Sequence, residues 1–507
     1  MSTISERSSS ISAASEAVSS EGDPLVASGT ADSRTIRSKS PSLWPLLARL
    51  HFYAGVLVAP FLVVAAVTGI AYALTPQIES LVYGDELHVS STAGSIQPID
   101  AQVRAARAAH PEGALAAVNL PVGPKDTTAV VLNVPGLGEE NQRTVYVDPY
   151  SGQVKGALTT WYDSTPVTTW LDTLHRNLHL GDTGALYSEL AASWLWIIAG
   201  GGVVMWLFRA RSYRSGPKSL RRKVLPDLSA ARGVRRTRGW HASTGVWLIV
   251  GLLFLSATGL TWSTHAGSRF EMVLDGLNAH RAELDTALPD GASAPAAPHH
   301  GGAPVAETSD VDPADVATVL ATARTAGLDG PVAIAVPAEA GTAWTATQID
   351  DVWPVRKDEV AVDVDTEKVT ARNNWSDAPL LAKLTRYGVL AHMGTLFGPV
   401  NEILLIALAA GLLCVIVWGY RMWWQRRPTR AGRSRPFGTP PARGSWRRVP
   451  SAGLAIGVVV TLGLCWALPV FGWSLLAFLL GDLFVGEFHR QRDAATQEAA
   501  AARLVQK

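Results

Sequence analysis

Two histidines in this chain stand at the mouths of apolar runs, and each is followed by the same residues at the same spacing. His51 leads to Gly55 and then Thr68-Gly69 in HFYAGVLVAPFLVVAAVTG, and His241 leads to Gly245 and then Thr258-Gly259 in HASTGVWLIVGLLFLSATG. A second pair keeps step with two acidic turns. His175 follows Asp148 at the same separation at which His392 follows Asp365, and Trp206 and Trp423 come after them, again at one shared spacing. One histidine at a membrane edge is readily explained as an interfacial anchor. Four in two matched pairs ask for more. Two imidazoles facing each other at one depth are what six-coordinate haem iron takes as axial ligands, because the porphyrin supplies the other four nitrogens. The spacing therefore predicts two axial pairs, His51 with His241 and His175 with His392. The glycine four residues after each opening histidine shares its helix face and leaves room for a macrocycle.

Two further histidines compete for these roles. His179 follows His175 by one helical turn in HRNLH, so either can be the outer ligand, or the two can share a metal. His265 follows His241 by 24 residues, about 36 Å along a helix, which puts it at the opposite face as an alternate ligand or an interfacial residue. His299 and His300 fall in the Pro/Gly/Ala-rich stretch GASAPAAPHHGGAPVAETSD, which reads as a mobile loop. Cys414 and Cys465 both lie within apolar runs, against a disulfide framework or a thiolate metal site.

The elements that must position these residues are membrane helices. The chain has 507 residues, 48% hydrophobic and 17% charged, and its apolar runs at 54–74, 190–208, 243–263, 402–419 and 452–484 approach or exceed the roughly 20 residues that span a bilayer. Residues 209–238 carry eleven Lys/Arg against one acid and 421–448 carry nine against none, whereas 76–170 and 266–380 are acidic, with ten acids to five bases and nineteen to seven. The positive-inside rule puts the basic segments in the cytoplasm and the acidic ones outside. Those basic segments are explained by topology, so no nucleic-acid partner is expected.

The pattern predicts a polytopic α-helical membrane protein made of a duplicated helix, α+β domain, helix unit. Its halves would be related by a pseudo-two-fold axis along the membrane normal, and a C-terminal apolar helix or hairpin would follow. The expected order is a disordered cytoplasmic tail at 1–42, a first span at 43–76, an external domain at 77–168, and an outer helix with second span at 169–209. A basic loop at 210–238 and a third span at 239–265 follow. The second external domain is expected at 266–380 with a flexible insert at 285–312, then an outer helix and fourth span at 381–424. A basic linker at 425–450, a fifth span or hairpin at 451–485 and a tail at 486–507 complete it. Within the external domains, helices are expected at 98–110 and 313–325, and strands near 115–120, 128–134, 143–148, 331–336, 343–348 and 359–364. Turns fall at Asp148-Pro-Tyr-Ser-Gly and Asp365-Thr-Glu-Lys.

No P-loop, dinucleotide-binding glycine motif, HExxH or GxSxG occurs in the sequence, so it offers no evident site for a reductant of its own. A metal-handling permease is argued against by the lack of acidic or paired polar residues within the spans.

These residues resemble the PepSY-associated transmembrane proteins, which include bacterial iron-regulated membrane proteins and inner-membrane ferric-siderophore reductases. The likeness rests on the two His openings with their Gly and Thr-Gly, on LHRNLHLGDTG at 174–184, LAHMGTLFGPVNE at 390–402 and GYRMWWQRRP at 419–428. The resemblance implies PepSY-like external domains, a bacterial cytoplasmic-membrane location with the N-terminus inside, and two haem b groups held by His51, His241, His175 and His392. His179 stands where the pattern commonly has leucine. The function implied is electron transfer from a cytoplasmic or membrane-bound donor to an extracytoplasmic acceptor such as a ferric siderophore. The alternative is a non-enzymatic anchor presenting PepSY domains to an extracytoplasmic protease or other partner.

Overall fold

The computed structural model describes residues 44–138, 140–211, 224–226, 233–288, 311–426 and 451–505. The expected tail at 1–42 lies outside the described residues, as do most of the basic loop, most of the insert with His299 and His300, and most of the linker at 425–450.

The first apolar run is broken where a single span over 43–76 was expected. Helix α1 (Trp44–Leu57) meets α2 (Ala59–Ala73) at a bend of 55°. Pro60 has no N–H to give the Val56 carbonyl, which would be its partner in an unbroken helix. The Tyr420 hydroxyl donates to that carbonyl instead, at 3.0 Å. Replacing Tyr420 by Phe leaves the carbonyl without its donor and is expected to cost about 1 kcal/mol. A lowered thermal midpoint in detergent, with the fold otherwise unchanged, would report it.

Short helices α3 (Thr75–Val82) and α4 (Gly84–Leu87) lead out of this run. Among the described residues four further helices are long and apolar enough to cross a membrane; one opens at Pro469, and the other three are α7 (Gly181–Arg211), α8 (Val234–Leu260) and α12 (Pro399–Gln425). They pack with α2 in a ring, in which α8 touches α7 and α12, and α2 touches the same two. Small residues set the spacing of α8 and α12. Gly251 receives the Leu408 side chain and Gly411 receives Leu248, where an added Cβ would come within 2.6 Å of Leu248 Cδ1. Without a hydrophobic driving force between helices in lipid, this close packing is what associates them.

The apolar run at 452–484 is two helices, α13 (Ser451–Ala467) and α14 (Pro469–Val505). Pro469 opens the second, and the bend is sharp enough to bring Gly472 against Cys465. Helix α14 continues through the Ala-rich end to Val505, so 486–505 is helical where a tail was expected at 486–507. The spans also carry acidic groups, contrary to the sequence argument used against a permease. Glu189 is buried within α7, and Arg49 of α1 pairs with Asp482 of α14. Glu189 accepts the backbone N–H groups of His265 at 3.1 Å and Ala266 at 2.9 Å, which satisfies the first turn of α9 (Thr264–Gly276).

The two acidic segments form one open antiparallel sheet, where two separate small sheets were expected. Strands β1 (Ala114–Asn119), β2 (Thr128–Asn133), β3 (Asn141–Val147) and β4 (Val154–Trp161) come from the first segment. The second gives β5 (Val332–Ala335), β6 (Trp344–Gln348), β7 (Glu359–Asp363) and β8 (Lys368–Asn373). The order is β4-β3-β2-β1-β5-β6-β7-β8. The join is β1 against β5, through Ala117 with Ala335, Val118 with Ile334, and Asn119 with Ala333. Each segment alone would leave that strand as an open edge, and pairing the two edges removes it. Helices α5 (Ile99–Ala109) and α10 (Pro313–Thr325) pack on each other and share one core with the sheet, built on Val103, Leu132, Val145, Val319, Ile334 and Val360. Past the sheet, α6 (Pro166–Asn177) leads into α7, and α11 (Leu380–Met393) leads into α12.

Candidate functional site

Each of the four histidines comes from a different helix: His51 from α1, His175 from α6, His241 from α8 and His392 from α11. The fold brings them together two by two. Ring centres of His51 and His241 lie 6.2 Å apart, and those of His175 and His392 lie 6.5 Å apart. Two imidazoles sharing one metal, each bound at ~2 Å through a nitrogen about 1 Å from its ring centre, would stand about 6 Å apart.

The other nitrogen of every ring is already engaged. His51 Nδ1 lies 2.9 Å from the Ile198 carbonyl, and His241 Nδ1 lies 2.9 Å from the Val415 carbonyl. A carbonyl only accepts, so Nδ1 carries the proton in both and Nε2 keeps its lone pair. Thr68 Oγ1 donates to the Val64 carbonyl at 2.9 Å, leaving its oxygen to accept from His175 Nδ1 at 2.9 Å. Thr258 Oγ1 donates to the Phe254 carbonyl at 2.8 Å and accepts from His392 Nδ1 at 2.7 Å. Fixing the tautomer through the distal nitrogen is how metal-ligating histidines are oriented. Burial, and then the neighbouring His175, push the His392 imidazole down to about 4, and burial lowers His175 as well.

Glycines fit the rings closely. A Cβ on Gly69 would lie 3.2 Å from His175 Cε1, and one on Gly259 would lie 3.3 Å from His392 Cε1. Gly202 and Gly419 stand in the same relation to His51 and His241, at 3.4 and 3.7 Å from Cε1. Gly55 and Gly245 differ, because a Cβ on either would meet no atom within 4 Å. A cavity of about 270 Å³ opens on the pair of His175 and His392, with Tyr72 and Trp262 also in its wall.

The alternates lie elsewhere. His179 falls beyond the end of α6, with φ of 55°, and its ring rests 5.1 Å from Trp170. His265 sits at the start of α9, its Nδ1 3.3 Å from Glu189 and its ring 5.1 Å from Trp473. Among the described residues no group of three or more His, Cys, Asp or Glu side chains is placed to hold a bare metal ion.

A comparison with protein families matches residues 48–426 to the PepSY-associated TM region. The chain belongs to that family. The PepSY-associated region begins just before His51 and encloses all four histidines, the ring of helices and the sheet, while α13 and α14 lie beyond it. No curated protein matches the chain.

Sequence reasoning singled out Thr68-Gly69 and Thr258-Gly259 as a repeated signature without finding what they do. Thr holds the imidazole of a later helix, and Gly lets that ring approach. The carbonyl partners were missed, although a signal for them exists: the offset along the chain from His175 to His392 is also the offset from Ile198 to Val415.

Proposed function

We propose that this protein passes electrons across a membrane, from a cytoplasmic or membrane-bound donor to an extracytoplasmic acceptor, with His51 and His241 holding one haem b and His175 and His392 the other. The observation that carries the reading is the pairing itself: four histidines from four helices meet two by two, at 6.2 and 6.5 Å, with every Nδ1 engaged. Bound haem would supply the one-electron chemistry that no side chain here offers. The chain's own residues orient the imidazoles, keep Nε2 unprotonated and clear the space beside them. Leu62, Leu195, Leu252 and Ile416 are buried together in one apolar core of the helix bundle. His241 and the Thr258 that holds His392 are 17 residues apart on α8, about 25 Å along its axis, so the two pairs divide a bilayer core of roughly 30 Å.

Matched spacings and matched contacts in the two halves support a duplicated unit with a pseudo-two-fold axis along the membrane normal. The charge segregation supports a bacterial cytoplasmic-membrane protein with its basic segments inside and its sheet outside. A ferric siderophore is the preferred acceptor, because reduction to Fe(II) weakens binding to hard oxygen ligands.

The test is the absorption spectrum of detergent-purified protein from haem-replete cells. Sharp α and β bands on dithionite reduction, at two haems per chain, are expected, and a colourless preparation sinks the reading. Replacing Thr68 or Thr258 by Val removes the partner of an outer Nδ1. It is expected to weaken haem retention at the outer site by roughly 10–100-fold, measured by haem transfer to an apo-globin scavenger, with the inner site unchanged.

A further inference from the structure

The outer cavity has two unlike walls. The offset in numbering that carries His51, Thr68 and Gly69 onto His241, Thr258 and Gly259 also carries Tyr72 onto Trp262. The offset that carries His175 onto His392 also carries Asp172 onto Val389 and Arg176 onto Met393. All six of these partners line the cavity. On α6 the groups flanking the histidine are a carboxyl and a guanidinium, whereas on α11 they are an aliphatic group and a thioether. Packing follows the same division. Helix α11 is covered by a small core of its own, in which Leu390 packs with Val355 and Leu396 beneath Trp375 and Tyr387, and Val389 is 8% exposed. Arg176 on α6 keeps 52% of its side chain exposed. It spends Nη1 on Asp172 at 3.1 Å, which leaves N–H donors of its planar fork free.

We propose that the α6 wall is the port through which the extracytoplasmic acceptor reaches the outer site, with Arg176 contacting the oxygen ligands of an anionic ferric complex. The inference rests on the electron-transfer reading above. One electron reduces the bound Fe(III) to Fe(II) and leaves the protein oxidised by one electron. Guanidinium suits this contact because its fork pairs with carboxylate-type oxygens in two hydrogen bonds. The α11 wall offers no such donor from Val389 or Met393.

The test uses the full chain with Cys414 and Cys465 replaced by Ala, and compares Arg176→Cys with Met393→Cys. A membrane-impermeant anionic thiol reagent should modify position 176 at least tenfold faster than position 393. Modification at 176 should also slow oxidation of the dithionite-reduced protein by ferricyanide at least tenfold more than modification at 393 does. Equal reactivity at the two positions, or ferricyanide rates indifferent to modification at 176, overturns the port. Asp172→Cys against Val389→Cys gives the same comparison should Arg176→Cys fail to fold. A colourless protein that still reacts selectively at 176 or 172 defeats the haem reading and leaves the accessible wall standing, so the two failures are told apart.

Discussion

Replacing His392 by Ala should halve the haem content of the purified protein and reduce electron delivery to an external ferric acceptor to background. His175→Ala should do the same, and the double variant should be no worse than either single one. Two axial ligands act as a unit, so the second loss finds nothing left to remove. The inner site should keep its spectrum and its response to dithionite in all three proteins, because Ile198 and Val415, which hold His51 and His241, touch neither substituted residue. Folding is a small concern at this position. Thr258 loses its bond to His392 but keeps its own to the Phe254 carbonyl at 2.8 Å and to the Leu255 carbonyl at 3.3 Å. Combining His392→Ala with His51→Ala should remove both haems, since no member of one pair can replace a member of the other across about 25 Å of helix. An anchor that merely presents a sheet to a partner would show none of these spectral changes.

The membrane helices and six of the eight strands were legible in the sequence because each leaves a local or repeated mark, whereas β4 and β8, which follow the two turns, were not expected. Apolar runs mark spans, charge segregation marks loops, and α10 was read at its observed limits of Pro313–Thr325 from periodicity alone. The join of the two acidic segments was not legible. Nothing in Ala117, Val118 or Asn119 says that the partner strand is Ala333–Ala335, which the chain reaches only after α7 and α8 have intervened. Cross-strand pairing is a non-local choice made by edges that need covering. The break at Pro60 was visible as a residue, yet the Tyr420 hydroxyl that makes it tolerable comes from 364 residues beyond Val56 in the chain. Glu189 was overlooked because it has no counterpart under the repeat, where Ile406 stands. Its role belongs to the N-terminus of α9, which only the folded chain brings to it.

Gly245→Leu, and its counterpart Gly55→Leu, should abolish haem binding at the inner site while leaving the protein as stable as before or slightly more so. The reasoning turns on what each glycine faces. At Gly69 and Gly259 an added Cβ would press on a histidine of the chain itself, at 3.2 and 3.3 Å, so a substitution there disturbs packing whether or not a cofactor exists, whereas at Gly202 and Gly419 it would reach ordinary contact distance of a histidine. At Gly55 and Gly245 a Cβ would meet no protein atom within 4 Å, although each lies one helical turn from an opening histidine and on its face. In the ligand-free fold no other side chain lies within 4 Å of the Cβ such a leucine would carry, and leucine recovers about 0.8 kcal/mol of helix propensity relative to glycine. The same leucine stands where a macrocycle between His51 and His241 would lie. The expected result is therefore a pair of opposite effects in one protein: a thermal midpoint at or above the parent's when both are measured without haem, and half the haem equivalents after purification from haem-replete cells. A Gly245→Leu protein with full haem content would place the inner cofactor away from this face and break the assignment of His51 with His241. A protein that loses stability without haem would show that the space is filled by packing that glycine alone permits.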